Sequence, residues 1–139
     1  MTYYVDFYLE EKGYGFVEDE SGKRYFFRGE HFFRRGPDFP MPVSGEIVSV
    51  GHTEDREGGS PVAKEIKRSS PVVVASGVVE SFDPANGWGF IREYGDQTKV
   101  YLHVSDISEG WIPIKGSRVK FYKGWKKGRP RACYVKEDV

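Results

Sequence analysis

The sequence predicts an all-β protein that contains two five-stranded antiparallel β-barrels in tandem. Aromatic residues make up 16% of the 139 residues, and aromatic and β-branched residues favour strands. The 17 glycines and 8 prolines supply frequent turns. No segment shows the 3.6-residue apolar periodicity of an amphipathic helix. Short strands between closely spaced turns are typical of small barrels, and an internal repeat indicates that there are two of them.

The internal repeat relates the two halves of the chain. Residues 12–17, Lys-Gly-Tyr-Gly-Phe-Val, match residues 86–91, Asn-Gly-Trp-Gly-Phe-Ile. Four further matches keep the same order, namely 5–8 with 79–82, 25–28 with 100–103, 44–48 with 115–119, and 61–63 with 130–132. Five matches in one order indicate a tandem duplication. We therefore expect a first barrel over 1–68, a short linker over 69–74 and a second barrel over 75–139.

Five strands are expected in each barrel, because turn residues divide each repeat at regular intervals. The predicted strands are 3–9, 14–18, 24–28, 46–51 and 62–67 in the first barrel, and 77–82, 88–93, 99–103, 118–122 and 132–136 in the second. The apolar run at 72–74, Val-Val-Val, has two interpretations. It either forms a buried contact between the barrels or starts the first strand of the second barrel.

The sequence contains no recognisable catalytic or metal-binding constellation. Its single cysteine, Cys133, excludes an internal disulfide and a cysteine-based zinc site, and we interpret it as a small core residue. His31, His52 and His103 fall in different predicted elements, without the spacing of metal ligands. We therefore predict that the protein is not an enzyme and uses no cofactor, no metal and no small-molecule substrate.

The sequence also argues against a membrane partner. The longest apolar run covers only residues 72–75, which is far too short to span a bilayer. The N-terminal residues lack the basic and apolar regions of a secretion signal. We expect a cytoplasmic protein.

Charge is distributed unevenly along the chain, although the net charge is zero. Residues 1–70 carry 10 basic and 13 acidic residues, whereas residues 71–139 carry 11 basic and 8 acidic residues. No acidic residue occurs between 110 and 135. This stretch is either a solvated basic hairpin or a surface that contacts phosphates. In the second interpretation the loop between the last two strands supplies Lys123, Lys126, Lys127 and an additional stacking ring, Trp125, which could instead pack over the barrel mouth.

The alternation of side chains along a strand predicts that several aromatic residues point outward. Compact aliphatic residues such as Val17, Ile91 and Leu102 suit a barrel interior, whereas Arg28 and His103 do not. The outward faces therefore carry Tyr14, Phe16, Phe26 and Arg28 in the first barrel, and Trp88, Phe90, Tyr101 and His103 in the second. Exposed aromatic rings beside cations favour stacking on unpaired bases. The alternative is that these rings pack under a loop or against the other barrel.

The second repeat resembles the bacterial cold-shock domain, a five-stranded barrel of the OB type. The resemblance rests on 77–83, Gly-Val-Val-Glu-Ser-Phe-Asp, on 86–91, on 100–103, Val-Tyr-Leu-His, and on 129–135, Arg-Pro-Arg-Ala-Cys-Tyr-Val. It implies binding of single-stranded RNA or DNA, with a role as RNA chaperone or as regulator of transcription or translation. It places ligand contacts on Phe82, Trp88, Phe90, Tyr101 and His103, and in the first repeat on Phe7, Tyr8, Lys12, Tyr14, Phe16 and Phe26.

Departures from the family pattern make the two repeats unequal. Ser81 stands where the family has a stacking tryptophan, and Asn86 stands where it has a lysine that the first repeat keeps as Lys12. The first repeat has acidic residues near its aromatic strand, namely Glu10, Glu11, Glu18, Asp19 and Glu20. We therefore expect the second barrel to be the main binder. The first barrel then extends the site weakly, or serves as a contact for a protein partner or for dimerisation.

Overall fold

The computed structural model describes residues 1–33, 41–107 and 111–138. The chain divides into two compact units, Met1–Pro71 and Val72–Val139. In the first unit the strands are β1 (Tyr3–Leu9), β2 (Tyr14–Asp19), β3 (Arg24–Arg28), β4 (Ile47–Glu54) and β5 (Val62–Arg68). In the second they are β6 (Val73–Asp83), β7 (Trp88–Glu93), β8 (Lys99–His103), β9 (Arg118–Lys126) and β10 (Arg129–Glu137). One 3-10 turn follows the third strand of each unit, at Gly29–His31 and Val104–Asp106.

Each unit is a closed five-stranded barrel, so the predicted fold class is confirmed. The strand order is β1-β2-β3-β5-β4 in the first barrel and β10-β8-β7-β6-β9 in the second. Neighbouring strands are antiparallel except for β3 with β5 and β8 with β10, which are parallel and close the sheets. The parallel pairing joins Phe26 to Val62 in the first barrel and Tyr101 to Arg131 in the second. Among the residues that the structure describes, no helix is long and apolar enough to cross a membrane.

Alternating side chains form one core in each barrel. Val17 and Phe27 are fully buried with Ile66 in the first barrel, and Ile91, Leu102 and Phe121 are buried in the second. These residues lie on the inner face, as the alternation along each strand predicts. Their strand neighbours are consequently turned to the outer face, which is where the aromatic rings of interest are found.

The glycines of the repeated motif have a structural purpose. Gly13 and Gly87 have positive φ angles of 73° and 76°, a backbone conformation that glycine adopts without strain. A Cβ atom on Gly15 would collide with the carbonyl oxygen of Phe7, and one on Gly89 would collide with that of Ser81. In both barrels this close approach occurs where the neighbouring strand is bulged. The glycines thus shape the strand pair, and the aromatic residues between them point outward.

The strands around the basic segment are longer than the sequence predicts. β9 extends to Lys126 and β10 begins at Arg129, so Lys123, Trp125 and Lys126 lie in a strand and not in a loop. Only Lys127 and Gly128 form the turn, and both have positive φ angles, as a tight two-residue hairpin turn requires.

The first strand of the second barrel is also longer than predicted. β6 begins at Val73, inside the segment predicted as a linker. Val73 and Val74 pair with β9 and remain more than half exposed. The sequence allows two interpretations of the valine run at 72–74, either a buried contact between the barrels or the start of a strand. The structure supports the second interpretation.

Candidate nucleic-acid interface

Four side chains form a continuous row on the outer surface of β7 and β8. Trp88 pairs with His103 and Phe90 pairs with Tyr101 in the antiparallel register. Ring centroids are 5.8 Å apart for Trp88 and Phe90, 6.0 Å for Phe90 and Tyr101, and 6.3 Å for Tyr101 and His103. We call this set, Trp88, Phe90, Tyr101 and His103, the second aromatic face. Trp88 is its most exposed ring, at 43% of its surface.

Two cations lie against the second aromatic face: Lys99, which was not predicted, and Arg131, which the sequence places only within the general basic stretch 110–135. The Lys99 Nζ atom is 4.8 Å from the centroid of Phe90, and the Arg131 guanidinium is 5.9 Å from that of Tyr101. Lys99 precedes Tyr101 by two residues on the same strand, so the alternation rule could have identified it. Arg131 belongs to a distant strand, and only the parallel closure of the barrel brings it beside Tyr101.

The ring of His103 is held by the turn that follows its strand. The backbone N–H of Ser105 donates a hydrogen bond to Nδ1 of His103 at 3.1 Å, and the Ser105 hydroxyl lies 2.8 Å from the same atom. Because Nδ1 accepts a hydrogen bond, the proton of the neutral ring is assigned to Nε2. Nε2 is then a donor available to an acceptor atom of a bound base or phosphate.

The basic hairpin meets the second aromatic face at a shallow groove of about 460 Å³. Its lining consists of Tyr101, Lys126, Lys127, Arg129, Pro130 and Arg131. The pairing of Lys126 with Arg129 and of Gly124 with Arg131 places these basic side chains on one side of the hairpin. The groove therefore combines a stacking ring with four basic side chains, of which Arg131 is paired with Asp106, and this suits a base and its adjoining phosphates.

Lys123 and Trp125, which the sequence predicts as ligand contacts of the basic hairpin, do not line this groove. Lys123 makes an ion pair with Glu93 at 2.8 Å, and only 15% of its side chain is exposed. Trp125 pairs with Pro130, so its ring projects from the side of the hairpin opposite to Arg131. The structure therefore does not bring Lys123 and Trp125 together with Tyr101, because the strand continues through positions that were interpreted as a loop.

Phe82 and Tyr8 do not belong to the aromatic faces, although the family resemblance predicts ligand contacts for both. Phe82 packs against the core of the second barrel, and Tyr8 packs against the core of the first, where its ring stacks on Phe27 at 5.7 Å. The reason is the bulge in β1 and β6, which inserts Asp6 and Glu80 and shifts the alternation by one residue. Both rings are half-buried and lie on the core side of their strands.

The first barrel carries a corresponding row of rings. We call Phe7, Tyr14, Phe16 and Phe26 the first aromatic face. Centroids are 5.5 Å apart for Phe7 and Phe16, 5.8 Å for Phe16 and Phe26, and 5.5 Å for Tyr14 and Phe26. The sequence prediction that Tyr14, Phe16 and Phe26 share one outer surface agrees with this geometry. Lys12 is exposed in the turn that precedes β2, two residues from Tyr14.

Three arginines cover the first aromatic face. The Arg24 guanidinium lies 4.5 Å from the ring centroid of Phe16. The guanidinium groups of Arg56 and Arg28 lie 4.6 Å and 5.5 Å, respectively, from the ring centroid of Phe26. Arg28 was predicted, whereas Arg24 and Arg56 were not. Arg24 precedes Phe26 by two residues, which is the same signal that Lys99 offers in the second barrel. Arg56 comes from the loop after β4, and nothing in its local sequence indicates this contact.

The acidic residues of the first barrel are partly neutralised. Asp6 makes an ion pair with Arg24 at 2.8 Å. Asp19 is 2% exposed and accepts hydrogen bonds from the Ser21 backbone and hydroxyl, from the Lys23 backbone and from the Tyr25 hydroxyl. These bonds, chiefly the one from the Ser21 hydroxyl, lower the pKa of Asp19. Asp19 is thus a structural residue of the β2–β3 turn, turned away from the aromatic rings.

One family model and several known proteins are similar to parts of this chain. Residues 75–137 match the family model described as the 'Cold-shock' DNA-binding domain. The mouse Cold shock domain-containing protein C2 is 27% identical over 101 residues, which are 73% of this chain and 56% of that protein. The Drosophila Cold shock domain-containing protein CG9705 is 40% identical over 48 residues, which are 34% of each protein. The matched part therefore spans about half of the mouse relative and a third of the Drosophila one.

A solved structure named drosophila Unr CSD456 is also similar. It aligns with 99% of this chain and with 60% of its own chain, at 16% sequence identity and a TM-score of 0.46. The family resemblance inferred from the motifs at 77–83, 86–91 and 100–103 is confirmed by the family model, which covers all of them. The second barrel of the chain therefore resembles the cold-shock domain over residues 75–137.

Proposed function

We propose that this chain binds single-stranded RNA or DNA, with bases stacked on the second aromatic face and phosphates held by the adjoining basic groove. The observation that supports this proposal is the unbroken row from Trp88 to His103, with Lys99 and Arg131 against its rings. Each stack of a base on an aromatic ring contributes about 1–3 kcal/mol and tolerates any base. The proposed role is that of an RNA chaperone or of a regulator of transcription or translation, without chemistry on the nucleic acid.

Two exposed tryptophans of the second barrel provide a matched test. Trp88 and Trp125 are 43% and 46% exposed, but only Trp88 belongs to the second aromatic face. We expect Trp88→Ala to weaken binding of a fluorescent oligothymidine by roughly 5- to 150-fold, which corresponds to the loss of one stack. Trp125→Ala should leave the affinity unchanged within about twofold, since its ring lies on the other side of the hairpin. Equal losses in both variants, measured by fluorescence anisotropy, would contradict the proposed site.

The sugar of the nucleic acid should matter little. Stacking does not involve the 2′-hydroxyl group, which is the group that distinguishes RNA from DNA. Oligouridine and oligodeoxyuridine of equal length form a matched pair of ligands for this test. We expect their affinities to agree within a few-fold, and a much larger preference would indicate contacts to the sugar that the aromatic face does not explain.

The second barrel is proposed to contribute more binding energy than the first. Arg24, the cation beside Phe16, is paired with Asp6, whereas Lys99, the cation beside Phe90, makes no ion pair within the part of the chain that the structure describes. Phe16 and Phe90 occupy corresponding positions in the two barrels. We therefore expect Phe90→Ala to weaken binding of the full chain more than Phe16→Ala. The reverse order would assign the main site to the first barrel.

A protein contact through the first barrel is the second candidate function. Two observations favour it, namely the excess of acidic over basic residues in 1–70 and the exposed ring of Phe33, which is 49% accessible. Phe33 lines a shallow depression of about 390 Å³ together with Val50, Glu65 and Lys67. Light scattering of the full chain would show a dimer if the contact is with a second copy. Absence of oligonucleotide binding at low salt would make this candidate the better one.

A further inference from the structure

The outer surface of the β9–β10 hairpin carries a second group of basic and aromatic side chains, on strands that the second aromatic face does not use. Arg118, Lys120 and Tyr122 alternate with buried residues along β9 and therefore point outward. Lys136 lies on the neighbouring strand, directly opposite Lys120 in the antiparallel register. The rings of Tyr122 and Tyr134 are in edge contact, with centroids 6.2 Å apart. We call Arg118, Lys120, Tyr122, Tyr134 and Lys136 the hairpin track.

The charges of the hairpin track are arranged unfavourably for the stability of the barrel itself. Two lysines directly opposite each other in an antiparallel pair repel and destabilise it. Within the described part of the chain, Arg118, Lys120 and Lys136 make no ion pair. Asp138 donates a backbone hydrogen bond to the carbonyl oxygen of Arg118, but its carboxylate does not pair with the guanidinium. The three cations are therefore available to a polyanion.

The hairpin track is continuous with the proposed nucleic-acid site. Gly124 follows Tyr122 on the same outward side of β9, and it pairs with Arg131, which lies beside Tyr101. From Arg118 to Lys126 the hairpin extends about 26 Å, at about 3.3 Å per residue. Gly124 itself has no side chain and is buried. A single-stranded nucleic acid that extends beyond Tyr101 and Arg131 would thus meet a row of cations interrupted only by tyrosine rings.

We infer that the hairpin track is a second contact surface for nucleic acid. It binds the phosphates of the same oligonucleotide whose bases stack on the second aromatic face. The inference rests on the proposed function, because it concerns the same ligand beyond the groove. The charge of the track matches a phosphodiester backbone, and Tyr122 and Tyr134 offer ring surface to an unpaired base. Its consequence is a binding site longer than the aromatic face alone.

A charge-matched pair of variants of the full chain tests this inference. The track variant combines Arg118→Gln, Lys120→Gln and Lys136→Gln. The control variant combines Lys23→Gln, Lys67→Gln and Lys115→Gln, which removes three exposed positive charges outside the track and changes the net charge equally. Affinity is measured against oligothymidines of about 4 to about 16 nucleotides, the range that a single barrel of the OB type occupies.

The expected result depends on oligonucleotide length. For the shortest strands, both variants should bind like the parent protein. For the longest oligothymidines, the track variant alone should lose the affinity that the parent protein gains with oligonucleotide length. Its slope of log K against log salt should be smaller by about 2, because three phosphate contacts contribute about 0.7 each. Between 50 and 200 mM salt this corresponds to a difference of roughly 20-fold. Removal of the repulsion between Lys120 and Lys136 should leave the urea midpoint of the track variant equal or higher.

Three outcomes would overturn the inference. Identical length and salt profiles for the track and control variants would exclude a specific contact at the hairpin track. Tighter binding of polyglutamate than of long oligothymidine, lost only in the track variant, would assign the surface to an acidic protein segment. Failure of the parent protein to bind even short oligothymidines would refute the proposed function itself, and this result is distinguishable because it does not depend on length.

Discussion

Tyr101 and Arg131 are directly paired at the parallel contact that closes the second barrel, and the Arg131 guanidinium lies 5.9 Å from the Tyr101 ring. An ion pair of 2.8 Å with Asp106 fixes the guanidinium in this position. The contact joins the aromatic strands β7 and β8 to the basic hairpin β9–β10. Closure of the barrel therefore produces the combination of ring and cation that the proposed site requires.

Replacement of Arg131 should weaken binding through loss of one phosphate contact. We expect Arg131→Ala to reduce the slope of log K against log salt by about 0.7, the value for one phosphate on a single strand. The control is Arg131→Lys, which keeps the charge and should keep most of the slope. Titrations of a short oligothymidine at several salt concentrations measure both. A slope that does not change in Arg131→Ala would remove this residue from the site.

Introduction of an aromatic ring at position 81 should strengthen binding. Ser81 is exposed and pairs with Phe90, as Phe7 pairs with Phe16 in the first barrel. Ser81→Trp would thus extend the row of rings by one stacking surface, worth about 1–3 kcal/mol of binding free energy. Ser70→Trp, at an exposed position outside both barrels' strands, is the control for non-specific attraction by an added indole. Equal gains in the two variants would show that position 81 does not face the ligand.

The close strand approach at Gly89 should make this position intolerant of a side chain. Gly89→Ala forces a Cβ atom against the carbonyl oxygen of Ser81, which belongs to the backbone and has little room to move. We expect a loss of about 1–3 kcal/mol in the free energy of unfolding, as for overpacking elsewhere. Gly59→Ala is the comparison, because its Cβ meets only the flexible end of the Arg56 side chain. Urea denaturation should separate the two variants clearly, and equal midpoints would contradict the steric explanation.

The buried hydroxyl of Tyr25 should contribute measurably to stability. It donates a hydrogen bond to Asp19 at 3.0 Å, and burial together with this bond raises the pKa of Tyr25 to about 12. Tyr25→Phe should cost about 1.5–3 kcal/mol of unfolding free energy, the value of a hydrogen bond to a charged group. Tyr94→Phe, at a tyrosine that is 49% exposed, should cost almost nothing. Similar effects of both substitutions would mean that the Tyr25–Asp19 bond does not stabilise the fold.

Protonation of Asp19 should lower the stability of the fold at acid pH. Hydrogen bonds, chiefly from the Ser21 hydroxyl, lower the pKa of this carboxyl in the folded chain below its unfolded value of about 3.9. The stabilisation is therefore complete above the unfolded pKa and is lost as the pH falls through the folded pKa. In Asp19→Asn, the urea midpoint should depend less on pH below about pH 4 than in the parent protein. An unchanged pH profile would exclude Asp19 as a source of acid sensitivity.

The duplication, the two barrels and most of the two aromatic faces follow from the sequence alone. Trp88 with Phe90, and Tyr101 with His103, could be placed on one surface because side chains alternate along any strand. Val100 and Leu102 could be placed inside for the same reason. These predictions succeeded because alternation is a local property that needs no knowledge of the partner strand.

The neighbours of these rings depend on how the strands pair in three dimensions. Tyr8 and Phe82 lie over the cores because a bulge in β1 and β6 changes the phase of alternation, and the bulge depends on the pairing with β2 and β7. Lys123 pairs with Glu93, and Arg131 reaches Tyr101, through contacts between strands far apart in sequence. Such contacts follow from strand register and barrel closure, which local propensity does not specify.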